Sequence, residues 1–299
     1  MRLLRLLLLI ITCVIGAGFA ASAAPPTMAA KGDKDSQLQV TADGSLEYYQ
    51  DKKLYVARGG AKAVRGTLTV TADVLMAHER DKTAKPVNND KNGGGSIDLM
   101  TADGHVVVTD PRQKITGDHA VYDLDKHQMV VTGNNLRYET AKEVVTARDS
   151  LEYYEDTKLA VARGHAVADQ PDRHIEGDIL TAEFRDAPNG QSQLTKMTSQ
   201  GHVTVITKSK ESPDGKNKPK GGDVSRGNRA VYNADSNVAV LSGDVRVTRK
   251  DGTQLSGDVG EVDFNNNQSR LLNDGKGRVR ALLAPTTTDK ANGAGAPAP

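Results

Sequence analysis

One cysteine, no tryptophan and three phenylalanines in 299 residues leave several function classes without their working parts. The single cysteine, Cys13, falls inside an apolar run at residues 6–21. That run follows Arg2 and Arg5 and ends at Ala21-Ser22-Ala23, the pattern of a cleavable secretory signal over residues 1–23. It is short for a membrane anchor, which is the rival reading of the same segment. Thr12 stands where a lipid-modified cysteine needs a small residue. With the signal removed no thiol remains, so neither a disulfide nor a thiolate site is available.

Charge of one sign is missing as well. The chain has 39 basic and 38 acidic residues, and loss of Arg2 and Arg5 lowers the formal net charge by two from +1. No basic excess points to nucleic acid. Beyond the signal, no stretch keeps a 3.6-residue apolar period. Few aromatics, many Val and Thr and 29 Gly argue for β structure with frequent turns. Residues 24–36 read as a flexible lead-in and 284–299, rich in Thr, Ala, Gly and Pro, as a disordered tail. That leaves 37–283 as the folded part.

What is present is repetition. ITGDHAVYDLDKHQMVVTGN at 115–134 returns as SRGNRAVYNADSNVAVLSGD at 225–244, and LEYYQDKKLYVARG at 46–59 returns as LEYYEDTKLAVARG at 151–164. One signature, an apolar anchor, a spacer, a small residue and usually Asp, begins at Val40, Val70, Ile115, Val145, Ile175, Ser225 and Leu255. The period is 30 residues, with insertions at 82–96 and 208–222 that are rich in Gly, Asn, Lys and Pro. A glycine column, Gly59, Gly104, Gly133, Gly164, Gly201, Gly243 and Gly275, confirms the alignment. After most of these glycines the chain alternates, as in Val106 and Val108, Val203 and Val205, or Val245 and Val247. Period-two alternation marks a strand with one buried face.

Each repeat is therefore a hairpin, and seven of them give about fourteen strands. In ITGDHAVYD the apolar positions Ile115 and Gly117 give way to Ala120 and Tyr122, of opposite parity. A phase change inside one strand predicts an extra residue or a corner. The adjacent tyrosines of the LEYY copies leave the phase of those strands open. One such hairpin cannot bury its own apolar face, so stacking is required. The stack leaves two unpaired edges, near residues 38–42 and 277–283.

Catalytic and metal constellations are not found in the sequence. The seven histidines lie singly beside Gly or on polar phases, without H-x-x-x-H or H-E-x-x-H spacing. Asp after the small-residue column recurs at 30, not at the nine-residue spacing of a calcium β-roll. Turn Asp bonding its own backbone explains it. The reading is a non-enzyme with no cofactor and no metal.

The pattern G-D-x-A-x-Y, turn, V-x-x-G-N/D and V-x-V resembles the OstA/LptA family of periplasmic lipopolysaccharide transport proteins. The likeness runs from about Leu38 to Leu283 and is closest at 66–134 and 252–285, where D-x-G-K-x-x-R-V and a closing L-x-P occur. It implies an all-β, open and grooved antiparallel β-jellyroll. It also implies a periplasmic bridge that carries lipopolysaccharide from the inner to the outer membrane. The implied partners are lipopolysaccharide, an LptC-like inner-membrane protein, an LptD-like outer-membrane protein and further copies of the chain, joined head to tail. A structural or adhesive β-solenoid without lipid is the alternative, as is another component of the same export system. Seven repeats and two long insertions exceed the size expected of the family.

By itself the anchor column, Leu38, Val40, Leu68, Val70, Ile115, Val145, Ile175 and Leu255, reads as packed core. Under the resemblance it becomes lipid-facing. The same then holds for Val106, Val108, Val203, Val205, Val245, Val247, Tyr122 and Tyr232.

Overall fold

In a computed structural model the described residues are 38–80, 97–187, 192–207, 222–266, 268–275 and 277–284. The signal, the lead-in and nearly all of the tail and of both insertions lie outside them. Eighteen antiparallel strand segments form one continuous sheet.

The chain opens with β1 (Gln39–Thr41) and β2 (Ser45–Tyr49), both of which pair with β3 (Leu54–Arg65). Then β4 (Leu68–Glu79), β5 (Ile97–Asp110) and β6 (Gln113–Asp123) follow, each paired with its predecessor. Strand β6 holds both β7 (Gln128–Thr132) and β8 (Leu136–Thr140). Next to these lie β9 (Val144–Ala147) against β8 and β10 (Ser150–Tyr154) against β7. The series continues through β11 (Leu159–Asp169), β12 (Arg173–Asp186), β13 (Ser192–Thr207), β14 (Val224–Asn233), β15 (Val238–Thr248) and β16 (Gln254–Asp263). It closes with β17 (Gln268–Leu272) and β18 (Arg280–Leu282), both on β16.

Four pairs of segments are thus two halves of one bent strand, so the eighteen segments make fourteen bent strands in simple sequential order. That is the number expected from seven hairpins. Turn chemistry sets their ends: Asp123 Oδ1 accepts from the backbone N–H of Asp125 and Lys126 at 3.1 and 2.9 Å. Asp263 does the same for Asn265 at 2.9 Å. A side chain that closes its own turn is the reason Asp recurs there.

Every strand bends at one level, and the phase change in the sequence is its cause. In β6, Gln113, Ile115 and Gly117 are buried, Asp118 is exposed, and burial resumes at Ala120 and Tyr122. On the facing strand one extra residue enters between Asp103 and Val106, a β-bulge that turns the pair. Gly104 and His105 occupy that bulge with φ of 76° and 48°. The glycine column is therefore the corner seen on the descending strands, and the small-residue column is the corner on the ascending ones. Gly117 has ordinary φ but no room: a Cβ there would lie 2.5 Å from Val131 Cγ1.

At Gly104 both constraints act together, since a Cβ would sit 2.1 Å from Asp73 Oδ2. Gly104→Ala is expected to lower stability by about 1–3 kcal/mol, through left-handed strain and displacement of Asp73. Urea unfolding measures it. An unchanged midpoint would remove the corner's dependence on this glycine.

The corner divides the sheet into two arms. A first arm contains β2, β7, β10 and β17, and a second contains β1, β8, β9 and β18. The longer strands run through both. Their inner faces meet in a core led by Val106, Val131, Leu136, Val203 and Val245, each at most 1% exposed.

Candidate functional site: the interior between the arms

Three apolar cavities lie in a row between the arms. The first, about 40 Å³, is walled by Leu68, Val70 and Val108 from the second arm and by Met100, Tyr122 and Met129 from the first. The next, about 80 Å³, lies among Ile115, Val145, Leu151, Ala160, Ala182 and Phe184, with Met129 and Met197 at its ends. The last and largest, about 210 Å³, takes in Ile175, Val205, Tyr232, Val245, Val247, Leu255 and Leu271. Each shares a wall residue with the next: Met129 lines the first and second cavities and Met197 the second and third.

Of the sixteen positions singled out in the sequence, twelve line one of these cavities: Leu68, Val70, Val108, Tyr122, Ile115, Val145, Ile175, Val205, Tyr232, Val245, Val247 and Leu255. Val106 and Val203 face the same way, but they sit just past the corner bulge and are packed core at 1% exposure. Leu38 and Val40 fall at the outer edge of the stack, where only one neighbouring strand covers them. The LEYY phase is resolved by burial, with Leu151 and Tyr153 inward and Tyr154 bonding Glu152 on the outer face at 2.8 Å.

Reading the sequence missed the residues four positions before five of the seven glycines: Met100, Met129, Ala160, Met197 and Ala239. Their fixed distance from the glycine column was the signal that would have found them.

The two rims differ in chemistry. Along the second arm's free end the inward side chains are polar and buried: Gln113, Glu143, Gln170 and Arg173. They satisfy one another and their neighbours. Tyr138 donates to Gln113 at 2.9 Å, Gln170 to Glu143 at 3.0 Å, and Arg173 to Asp172 at 2.6 Å. Buried polar groups without partners would cost too much to keep, and each of these side chains has one.

The first arm's end carries tyrosines whose rings point inward. Their hydroxyls reach Glu79 from Tyr48 at 3.1 Å, Glu155 from Tyr122 at 2.7 Å and Asn237 from Tyr232 at 3.0 Å. Burial, seconded by Glu155, pushes the Tyr122 hydroxyl far above its ordinary value. Burial, with Glu155 and Asp186 adding to it, lifts Tyr153 to about 12. Both remain neutral, and Tyr122 donates. On the outer ridge, His105 and His202 pair with Asp73 and Asp178 at 2.8 and 2.9 Å. Among the described residues no three His, Cys, Asp or Glu side chains converge as a metal site would need.

The profile of the LptA/(LptD N-terminal domain) LPS transport protein family matches residues 39–157 and again 145–268. The chain belongs to this family. Two successive matches also say that the family unit occurs twice in one LptA-like chain, in keeping with the two LEYY copies. The crystal structure of LptH, the LptA-homologous periplasmic component of the lipopolysaccharide transport device of Pseudomonas aeruginosa, is 21% identical over 48% of this chain and 95% of that one, with a TM-score of 0.37. No curated protein sequence matches.

Proposed function

We propose that this LptA-like protein is exported to the periplasm, holds lipopolysaccharide by its acyl chains between the two arms, and bridges the inner and outer membranes. The row of three apolar cavities carries this reading. Burying a methylene contributes about 0.8 kcal/mol, so an acyl chain of a dozen carbons gains on the order of 10 kcal/mol inside such a space. Cavities set in a row with only one side chain between neighbours let the chain move on, where one deep pocket would retain it.

The bridge itself is read from the ends. Among the described residues, every large hydrophobic side chain that is well exposed lies on β1–β3, on β17 and β18, or in the flanking residues Leu38, Val279 and Leu283. Both edges offer unpaired backbone groups beside apolar side chains, suited to strand addition by another copy or by LptC-like and LptD-like partners of the same fold.

Photo-crosslinking in cells tests the lipid reading. A photoreactive residue at Val108, Val205, Val245 or Val247 is expected to capture lipopolysaccharide, and one at Thr204 or Arg246, on the opposite phase, is not. Equal capture from both phases, or from neither, rejects the interior as the lipid path and leaves the lipid-free solenoid.

A further inference from the structure

We propose that acyl chains rest at two separate stations inside the stack, and that Met197 with Tyr232 forms the partition between them. This rests on the lipid-binding reading above and adds where the chains sit and what divides them.

One ladder of inward side chains runs along the first arm, each member directly opposite the next in the strand register. It begins with Tyr48, Tyr55 and Ala77 and goes on with bulk, Met100 to Tyr122 to Met129 to Tyr153. It then thins to Ala160 and Ala182. Met197 and Tyr232 follow as a second bulky pair, and beyond them come Ala239, Val262 and Ser269.

Space between the arms follows the size of these side chains. The bulky run from Met100 to Tyr153 has only the 40 Å³ cavity, Ala160 and Ala182 open 80 Å³, and the small residues at the far end open 210 Å³. An apolar void of about 150 Å³ already stays dry and accepts an apolar guest, so the largest cavity qualifies as a resting site. Met197 closes both stations from the side where they meet. An unbranched thioether changes rotamer readily, which makes it a partition that a passing chain can push aside.

The shape of the larger station names its guest. Its lining spans β12 to β17, five strand steps or about 24 Å, which suits an extended chain better than a compact ring system. Arg173, Arg249 and Arg270 stand around it, each paired with a carboxylate, Asp172, Asp223 and Glu261, so no net charge is left over at the station. The guest is an amphiphile with linear acyl chains.

Saturated fatty acids of increasing length, competing with a fluorescent fatty acid for the delipidated full chain, test this. Affinity for the unaltered protein is expected to rise about fourfold per methylene and then level off once the larger station is full. Met197→Ala shifts that plateau to longer chains. Ala239→Met, or Ser269→Met from the other side of the same space, weakens the tight site at least about tenfold. Ala160→Met spares that site and removes only the second, weaker equivalent.

An unmoved plateau in Met197→Ala overturns the partition. Equal effects of Ala160→Met and Ala239→Met overturn the two stations while leaving lipid binding intact. A wild-type chain that binds no fatty acid at any length overturns the lipid reading along with them.

Discussion

With cysteines in place of Glu47 and Arg270, the mature protein is expected to form disulfide-linked chains of many copies under mild oxidation. The register comes from a joint the molecule already contains. Inside the stack, β10 lies on β7 with Leu151 opposite Val131 and Glu152 opposite Val130. Leu46 and Glu47 are the counterparts of Leu151 and Glu152 in the earlier LEYY copy, with no strand on their outer side among the described residues. At the far end β16 holds β17 as β6 holds β7, with Glu261 opposite Arg270 where Val121 is opposite Val130. The last strand of one copy and the first strand of the next therefore match the two sides of the internal joint, with Glu47 facing Arg270.

Exposure agrees with this assignment: Leu46 is 63% exposed and Leu151 8%, Tyr48 44% and Tyr153 5%. An opposite-charge pair in direct register adds to the docking. Directly opposed residues have Cα atoms about 4.5–5.5 Å apart, within disulfide reach. The pair Glu47→Cys and Gln268→Cys, two residues out of register at about 7–8 Å, is expected to stay largely uncrosslinked. Non-reducing gels read the difference. Equal ladders from both pairs, or monomer from the first, would mean that copies do not meet edge to edge in this register.

Excision of residues 46–150, which joins Ser45 directly to Leu151, is expected to leave a folded and shorter stack. Ser45 and Ser150 precede the same LEYY strand, so the cut removes a whole number of hairpins and both arms stay continuous. In a stacked repeat protein stability is close to a sum over units and their interfaces, so it falls but cooperative unfolding persists. Excision of 46–135 takes out three nominal periods and ignores the insertion. It joins β1 to β8, both second-arm segments, across residues 42–45 with no first-arm segment between them, and that variant is expected not to fold. Circular dichroism and urea unfolding compare the two. A folded product from the mismatched cut would refute the two-arm assignment.

Much of the architecture was legible because the corner writes itself into the sequence. Ile115 and Gly117 changing phase to Ala120 and Tyr122 marks a bend that no flat strand needs. The glycine column was visible too, although only the positive φ values at Gly104 and His105 make it the other half of that bend. Adjacent tyrosines at 153 and 154 hid the phase, because both parities are apolar and only packing decides which one turns inward. The cavities were not legible at all. Their size depends on which side chains oppose one another across strands, as Ala160 opposes Ala182 and Met197 opposes Tyr232. Val106 and Val203 share a parity with cavity-lining residues, yet the corner packs them solid.

Sequential pairing has a kinetic consequence. Each bent strand is joined to the one before it by a single turn, apart from the two long insertions, so each new strand meets a partner already in place. Loop closure is short at most steps, and the slow search that distant β pairing usually imposes is largely avoided. Assembly can advance in the order in which the chain emerges from a ribosome or a translocation pore, with no need for the far end to be present. The growing tip always shows one raw edge, the same kind of edge that the finished molecule keeps at its last strand. A half-made chain is thus competent to join a completed neighbour, and crowding of nascent chains is the condition under which mispairing should first appear.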